Sequence, residues 1–314
     1  MKFPVQGTPL DVVKGSAVTL ALFLAYISLP LVGILPGIVT PVAGVYYSLK
    51  SGRIAGIAIV VATAALLAVA VDPATMAIYL MQCGVMTLAL PEFISRGKGG
   101  SRSIVYTVAI NLVVILAVAA AYGILSGHNL HAQVIKGINS SITQTITLYE
   151  KAGIKGDELK TLQQAMQQAG ILIGQIYPAL VTVGLSIVAG INLLLLRKLA
   201  SRYSVSLVLG DFNRFKNPEQ LIWVLIAAGF AMLVNNDVVT LAALNLLIVI
   251  VSLYFIQGMA VITHSFNRFV VPAFVRFIFY LLLAVQPFLA LVVAVLGIFD
   301  LWGDFRTPKI KENL

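Results

Sequence analysis

The chain has 314 residues, 60% apolar and only 11% charged, with 21 Lys and Arg against 12 Asp and Glu. A water-soluble domain of this length needs far more polar surface, so the composition excludes a soluble catalytic module and indicates a protein embedded in lipid. In that solvent the formal charge of +9 marks cytoplasmic loops and headgroup contacts, with no nucleic-acid partner implied.

Crossing the hydrocarbon takes about 20 apolar residues in a helix. The opening residues 1–14 are short and mildly polar, and no small-residue cleavage site closes the first apolar run, which reads as a retained span. The uncharged stretch 15–49 is interrupted by Pro30, Pro36, Gly37 and Pro41. It reads as a span over 16–35, a turn at Pro36-Gly37 and a short returning segment to Leu49. Further spans are expected at 54–71, 74–94, 104–127, 171–196, 221–234, 238–263 and 277–299. The lone cysteine, Cys83, lies inside an apolar run, so no intramolecular disulfide exists. The expected fold is all-α: one integral membrane domain over 1–314, a bundle of about eight to ten spans carrying an extramembrane helical hairpin.

Charge alternates between the loops. Lys50 and Arg53, then Arg96, Lys98 and Arg102, then residues 197–216 with five basic side chains, then Arg268 and Arg276, fall on one side. The turns Asp72-Pro73 and Asn235-Asn236-Asp237 carry no basic residue, and Asp72 and Asp237 suit capping. The excess of Lys and Arg places the basic loops, and with Lys2 and Lys14 the N-terminus, in the cytoplasm. Nine crossings put the tail outside. A split at Pro287 returns it, with Arg306, Lys309 and Lys311, to the cytoplasm.

The one sizeable polar insertion covers 128–170. Ile135, Ile138, Ile142, Ile146 and Tyr149 recur at helical spacing, Gly153 and Gly156 break the helix, and Asp157 caps a second one carrying Leu159, Leu162 and Met166. The result is an amphipathic hairpin that caps the bundle or lies on the membrane surface.

An ionisable group at mid-membrane costs about 2.5–3.5 kcal/mol, and the spans hold almost none. Neutral polar residues stand there instead. Asn111, Gln175, Asn192, Asn245, Ser252, Gln257, Tyr280 and Gln286 are the candidate ligand pocket, with interhelical hydrogen bonding as their ordinary use. Asn245 and Ser252 share one helix face, and Arg276, Tyr280 and Pro287 share another; a meeting of the two faces makes a polar pocket. Gly33 to Gly37 and Gly52 to Gly56 have small-xxx-small spacing, which serves close helix packing.

Catalytic and energising motifs are missing from the sequence. There is no G-x-x-x-x-G-K-[ST], no H-E-x-x-H and no G-x-S-x-G. His128 and His131 lack a third ligand, so no metal, cofactor or enzymatic activity is expected.

Three stretches carry a family resemblance: Q-I-Y-P-A-L with N-L-L-L-L-R-K-L-A-S-R (175–202), N-R-F-K-N-P-E-Q-L-I-W-V-L-I (213–226) and L-G-I-F-D-L-W-G-D-F-R (296–306). With the insertion before them, the chain resembles the YybS-like bacterial membrane proteins, a family of unknown function. That family is distantly similar in architecture to the substrate-binding S-components of energy-coupling-factor transporters. With the broken first helix, the outer helical insertion and the neutral polar residues in the spans, that distant likeness points to a small-molecule-binding transport component of the bacterial inner membrane, S-component-like or a permease, without its own ATPase. The alternative is a scaffold docking a protein partner at the basic loops. In the ending, Asp300, Trp302, Asp304 and Arg306 are the candidate docking residues, outside the last apolar run, with Asp304 close enough to pair with Arg306.

Overall fold

The computed structural model describes residues 8–29, 32–127, 129–202, 209–303 and 305–306, without side chains at 200–202. Lys2, Pro30, His128, Asp304, Lys309 and Lys311 lie outside the described residues. Every regular element among the described residues is helical. Among the described residues six helices are long and apolar enough to cross a membrane, or seven with one pair bent by 110°. This is fewer than the eight to ten spans expected, because several apolar runs fold as short or bent pieces.

The first run shows why. Helix α1 (Pro9–Ser28) starts earlier than expected, with Pro9 in its first turn, where a missing N–H costs nothing. Two short helices follow, α2 (Ile34–Val39) and α3 (Pro41–Ser51). The expected turn at Pro36-Gly37 is not one. Pro36 sits in the first turn of α2, among the amides that have no intrahelical partner. The chain then folds through α4 (Arg53–Ala70), α5 (Pro73–Tyr79), a five-residue π-turn (Leu80–Gly84), α6 (Val85–Ser95) and α7 (Gly100–Ser126). At the acidic turn Asp72 caps α5, accepting from the Thr75 N–H and hydroxyl at 2.7 Å each. Those bonds hold its carboxyl below the ordinary carboxylate range.

Helix α8 (Leu130–Lys151) ends before Gly153 and Gly156, both at positive φ (97° and 68°). Next comes α9 (Gly156–Arg202), 47 residues in one helix. The expected second insertion helix and the following span are therefore continuous. Nothing between Asp157 and Tyr177 breaks a helix, since Gly170 and Gly174 only lower its propensity. At a rise of about 1.5 Å per residue this helix is about 70 Å long, more than twice the hydrocarbon thickness.

The rest comprises α10 (Leu221–Ala231), α11 (Asp237–Arg268), α12 (Ala273–Val285) and α13 (Pro287–Gly303). Asn236 caps α11 through the Val238 and Val239 amides, at 3.0 and 3.2 Å. Its other end closes with Val271 N–H donating to the Phe266 carbonyl (2.9 Å) around Val270, held at φ 49° where glycine is usual. Pro287 starts α13 and makes the 110° bend.

Two compact units result. The first holds the described residues of Met1–Gln133 and Gly184–Leu209; the second holds those of Val134–Val183 and Gly210–Leu314. In the first unit, Phe23 of α1 packs with Val60, Ala64 and Leu67 of α4, and with Tyr79 edge-on at 5.3 Å. A second cluster joins α3, α6 and α9 through Val45, Leu49, Leu90, Ile94, Leu193 and Leu196. A third joins α6, α7 and α9 through Met86, Val108, Leu185, Val188 and Ala189. The small-residue pairs serve this local packing, with Gly37 under the Tyr26 ring and Gly56 under Ser48.

In the second unit α8 packs on α9 through the isoleucine stripe read from the sequence. Ile142 covers Gly170, Ile135 covers Gly174, and Ile146 is buried. The main pairing is α11 against α13, where Gly258 faces the Val293 carbonyl and Gly297 faces the Tyr254 carbonyl.

Candidate functional site

The candidate residues divide between the two units. In the first, the inward face of α7 presents Ser103, Thr107 and Asn111 at four-residue spacing, all completely buried. The Ser103 hydroxyl donates to the Gly99 carbonyl at 2.7 Å. Thr107 Oγ1 and both side-chain polar atoms of Asn111 have no partner. Asn192 of α9 donates from Nδ2 to the Ile38 and Val188 carbonyls, each at 2.7 Å, while its Oδ1 is unpartnered. Thr87 of α6, against Gly44, is also buried with a free hydroxyl. Asn111 and Asn192 flank the third hydrophobic cluster, to which α7 brings Val108, Leu112 and Ile115, and α9 brings Val188 and Ala189. The π-turn packs against α7 as well.

A buried amide without hydrogen bonds costs about 1–3 kcal/mol by mutational measures, and more in hydrocarbon. Asn111 offers two donors and one acceptor that nothing among the described residues uses. The seam is uncharged. It can recognise a neutral polar molecule, and it has no group to neutralise an ion.

In the second unit the other amides serve the backbone. Pro178 interrupts α9, lacking an N–H and crowding the carbonyl one turn back. The Ala179 N–H, which pairs with the Gln175 carbonyl in a regular helix, donates to Asn245 Oδ1 at 2.9 Å. Asn245 Nδ2 donates to that Gln175 carbonyl at 2.8 Å. One carboxamide from α11 thus bridges the break, and the Gln175 contribution is its backbone. We expect Asn245→Leu to destabilise the protein by about 1–2 kcal/mol, since both backbone groups lose their partner. Faster hydrogen exchange at the Ala179 amide, with other α9 amides unchanged, is the matching readout.

The two helix faces that could have met do not share partners. Ser252 donates to the Val249 carbonyl of its own helix (2.7 Å). Arg276 closes the end of α11, donating to the Val271 and Phe266 carbonyls and to Asn267 Oδ1 at 2.9–3.0 Å. Tyr280 stacks in an aromatic group with Phe266 and Phe279, and Gln286 is exposed at the end of α12.

The ending is where position differs most from expectation. Asp300 lies inside α13, completely buried, and not beyond the last apolar run. Its Oδ2 accepts from the Arg306 guanidinium and from Gln257 Nε2, the latter at 2.9 Å. Arg306 also donates to the Asn213 and Phe215 carbonyls (3.0 and 2.7 Å). Gln257 Oε1 accepts from the Asn217 N–H at 2.9 Å, and Asn217 Nδ2 donates to the Leu253 carbonyl. Two of the stretches that carried the resemblance, 213–226 and 296–306, are therefore tied together by one buried polar network. Arg306 pairs with Asp300, and Trp302 is left 68% exposed.

Sequence reading overlooked Asn217, whose burial depends on a loop conformation, and the threonines, which look like ordinary helix residues. It also overlooked Asp11, buried in α1, which accepts from Lys50 Nζ at 3.0 Å and from the Ser51 hydroxyl at 2.7 Å. An acid near the first basic loop was the available signal. Among the described residues, no three His, Cys, Asp or Glu side chains gather where a metal ion could sit.

A family model described as "Predicted membrane protein (DUF2232)" matches residues 17–301. No curated protein and no solved structure matches the chain.

Proposed function

The chain belongs to the DUF2232 family of predicted membrane proteins, and on that premise we propose that it is a small-molecule-binding transport component without enzymatic activity or an ATPase of its own. The likeness to YybS-like proteins and to S-components, the inner-membrane location and the cytoplasmic N-terminus are parts of the same proposal. One observation carries it: the Asn111 carboxamide, fully buried on α7, has all its hydrogen-bonding capacity unused among the described residues. A membrane protein with no need of a ligand gains by placing leucine there, because no interhelical bond is lost and a desolvated amide is removed. A neutral polar ligand supplies the missing partners, with Thr107, Thr87 and the Asn192 carbonyl oxygen as further groups around it.

The test compares wild type with Asn111→Leu, purified in mild detergent, by mass spectrometry of co-purifying metabolites and by thermal unfolding. A reproducible neutral polar metabolite in wild type, reduced about tenfold or more in the variant, supports the proposal. So does a ligand-free melting temperature in the variant no lower than wild type. A variant clearly less stable than ligand-free wild type makes Asn111 structural and removes the argument. A stoichiometric protein partner with no metabolite favours the scaffold reading, in which exposed Trp302 is the contact to crosslink.

A further inference from the structure

We propose that the corner between α3 and α4, with the facing end of α6, is a binding site for a phosphate group, separate from the neutral seam at Asn111. A cavity of about 350 Å³ lies there, lined among others by Ser48, Lys50, Gly52, Arg53 and Glu92. Its size is at the small end of the range for small-molecule sites, about 300–1,000 Å³, enough for a phosphate with its glycerol and too roomy for a bare ion.

The donors converge from four groups. Gly52, at φ 95° and ψ 168°, adopts a conformation open essentially to glycine alone, and offers no side chain to cap α4. No side chain caps the first turn of α4, where the helix dipole is positive, although the Ala55 N–H donates to the Gly52 carbonyl at 3.1 Å. Arg53 is exposed and makes no ion pair among the described residues, so its guanidinium is available. Lys50 donates one N–H to Asp11, which balances its charge and raises its pKa, and keeps two N–H donors.

The fourth group is Ser48. It is 8% exposed, lines the cavity, and its hydroxyl makes no hydrogen bond among the described residues. The other two cavity hydroxyls are committed, Ser51 to Asp11 and Ser95 to the Glu92 carbonyl. The only carboxylate on the wall, Glu92, is neutralised by Arg96 at 2.6 Å. One unpaired cation, Arg53, the remaining N–H donors of Asp11-paired Lys50, the unpartnered Ser48 hydroxyl and the start of α4 thus line a space whose single acid is paired. A phosphate oxygen set satisfies all of them at once. The phosphate can be a phospholipid headgroup or part of a soluble metabolite, since both present the same group.

The experiment titrates the delipidated full chain in nonionic detergent with dihexanoyl phosphatidic acid and, separately, with glycerol 3-phosphate. Binding is read by native mass spectrometry for wild type, Arg53→Gln and Arg102→Gln. Arg102 is an exposed arginine of α7 that does not line the cavity. The expected result is saturable binding weakened about tenfold in R53Q and unchanged in R102Q. Binding of phosphatidic acid alone assigns the site to a lipid, and equal binding of both probes assigns it to the phosphate itself. No binding of either probe at millimolar concentration, or equal weakening in both variants, overturns the proposal.

Discussion

Gly258→Ala and Gly297→Ala are each expected to destabilise the protein by about 3 kcal/mol or more, the upper end for overpacking. A Cβ on Gly258 runs into the Val293 carbonyl of α13, and one on Gly297 runs into the Tyr254 carbonyl of α11. The obstructing atoms are backbone, so no side chain can turn away. Both helices must shift. In lipid there is no hydrophobic drive to hold helices together, and close van der Waals contact is what the crossing lives on. Moving α11 and α13 apart also stretches the bond from Gln257 to Asp300, which sits one residue from Gly258. Gly229→Ala, where nothing lies within 4 Å of the added methyl, is the control and should be neutral or slightly stabilising. Both tryptophans, Trp223 and Trp302, belong to the second unit. Their fluorescence during denaturant unfolding in detergent therefore reports on this crossing. Equal stability of all three variants would show that the helices do not approach as described.

Asp300→Ala and Arg306→Ala form the second large effect, about 3–5 kcal/mol for either change alone. The Asp300 side chain is completely buried and that of Arg306 is 10% exposed, so removing one leaves the other's charge stranded. The loop carbonyls at Asn213 and Phe215 lose their donor when Arg306 goes. A double replacement, Asp300→Leu with Arg306→Met, should recover most of the loss, because an apolar pair of similar volume leaves no charge unpaired. Limited proteolysis at the 209–220 loop is the complementary measurement, with both single variants cut sooner than wild type and than the double. A double variant as unstable as the singles would mean that the network, and not the charge pair, sets the stability.

What was legible from sequence follows from which forces act locally. Long apolar runs and capping residues announce themselves, so α4, α7 and α11, the Asp72 cap and the Asn236 turn stand close to where they were read. The isoleucine stripe of α8 was visible for the same reason. Proline was misread at Pro36, because a first-turn position and a chain reversal look alike until the helix start is known. The fusion of the insertion with the next span in α9 was hidden, since polarity changes along that helix while its backbone does not. Among the site residues, Asn111 and Asn192 were on the page as amides in apolar runs. That one is wholly unpartnered and the other half engaged depends on neighbours from other helices. Asp300 was read as lying outside the membrane run because a charged residue usually ends one. Its partner six residues on let it stay inside.

The π-turn at Leu80–Gly84 gives this chain a place where its length is negotiable. Each residue of a helix advances the side chains by about 100° around the axis, so losing one elsewhere in a span swings everything downstream onto a different face. A π-turn already contains one surplus residue. Excising it converts the turn to ordinary helix while Tyr79 before it and Met86 after it keep pointing into their own clusters. The Pro73–Ser95 segment can in this way shed one amino acid and leave both halves in phase with their neighbours.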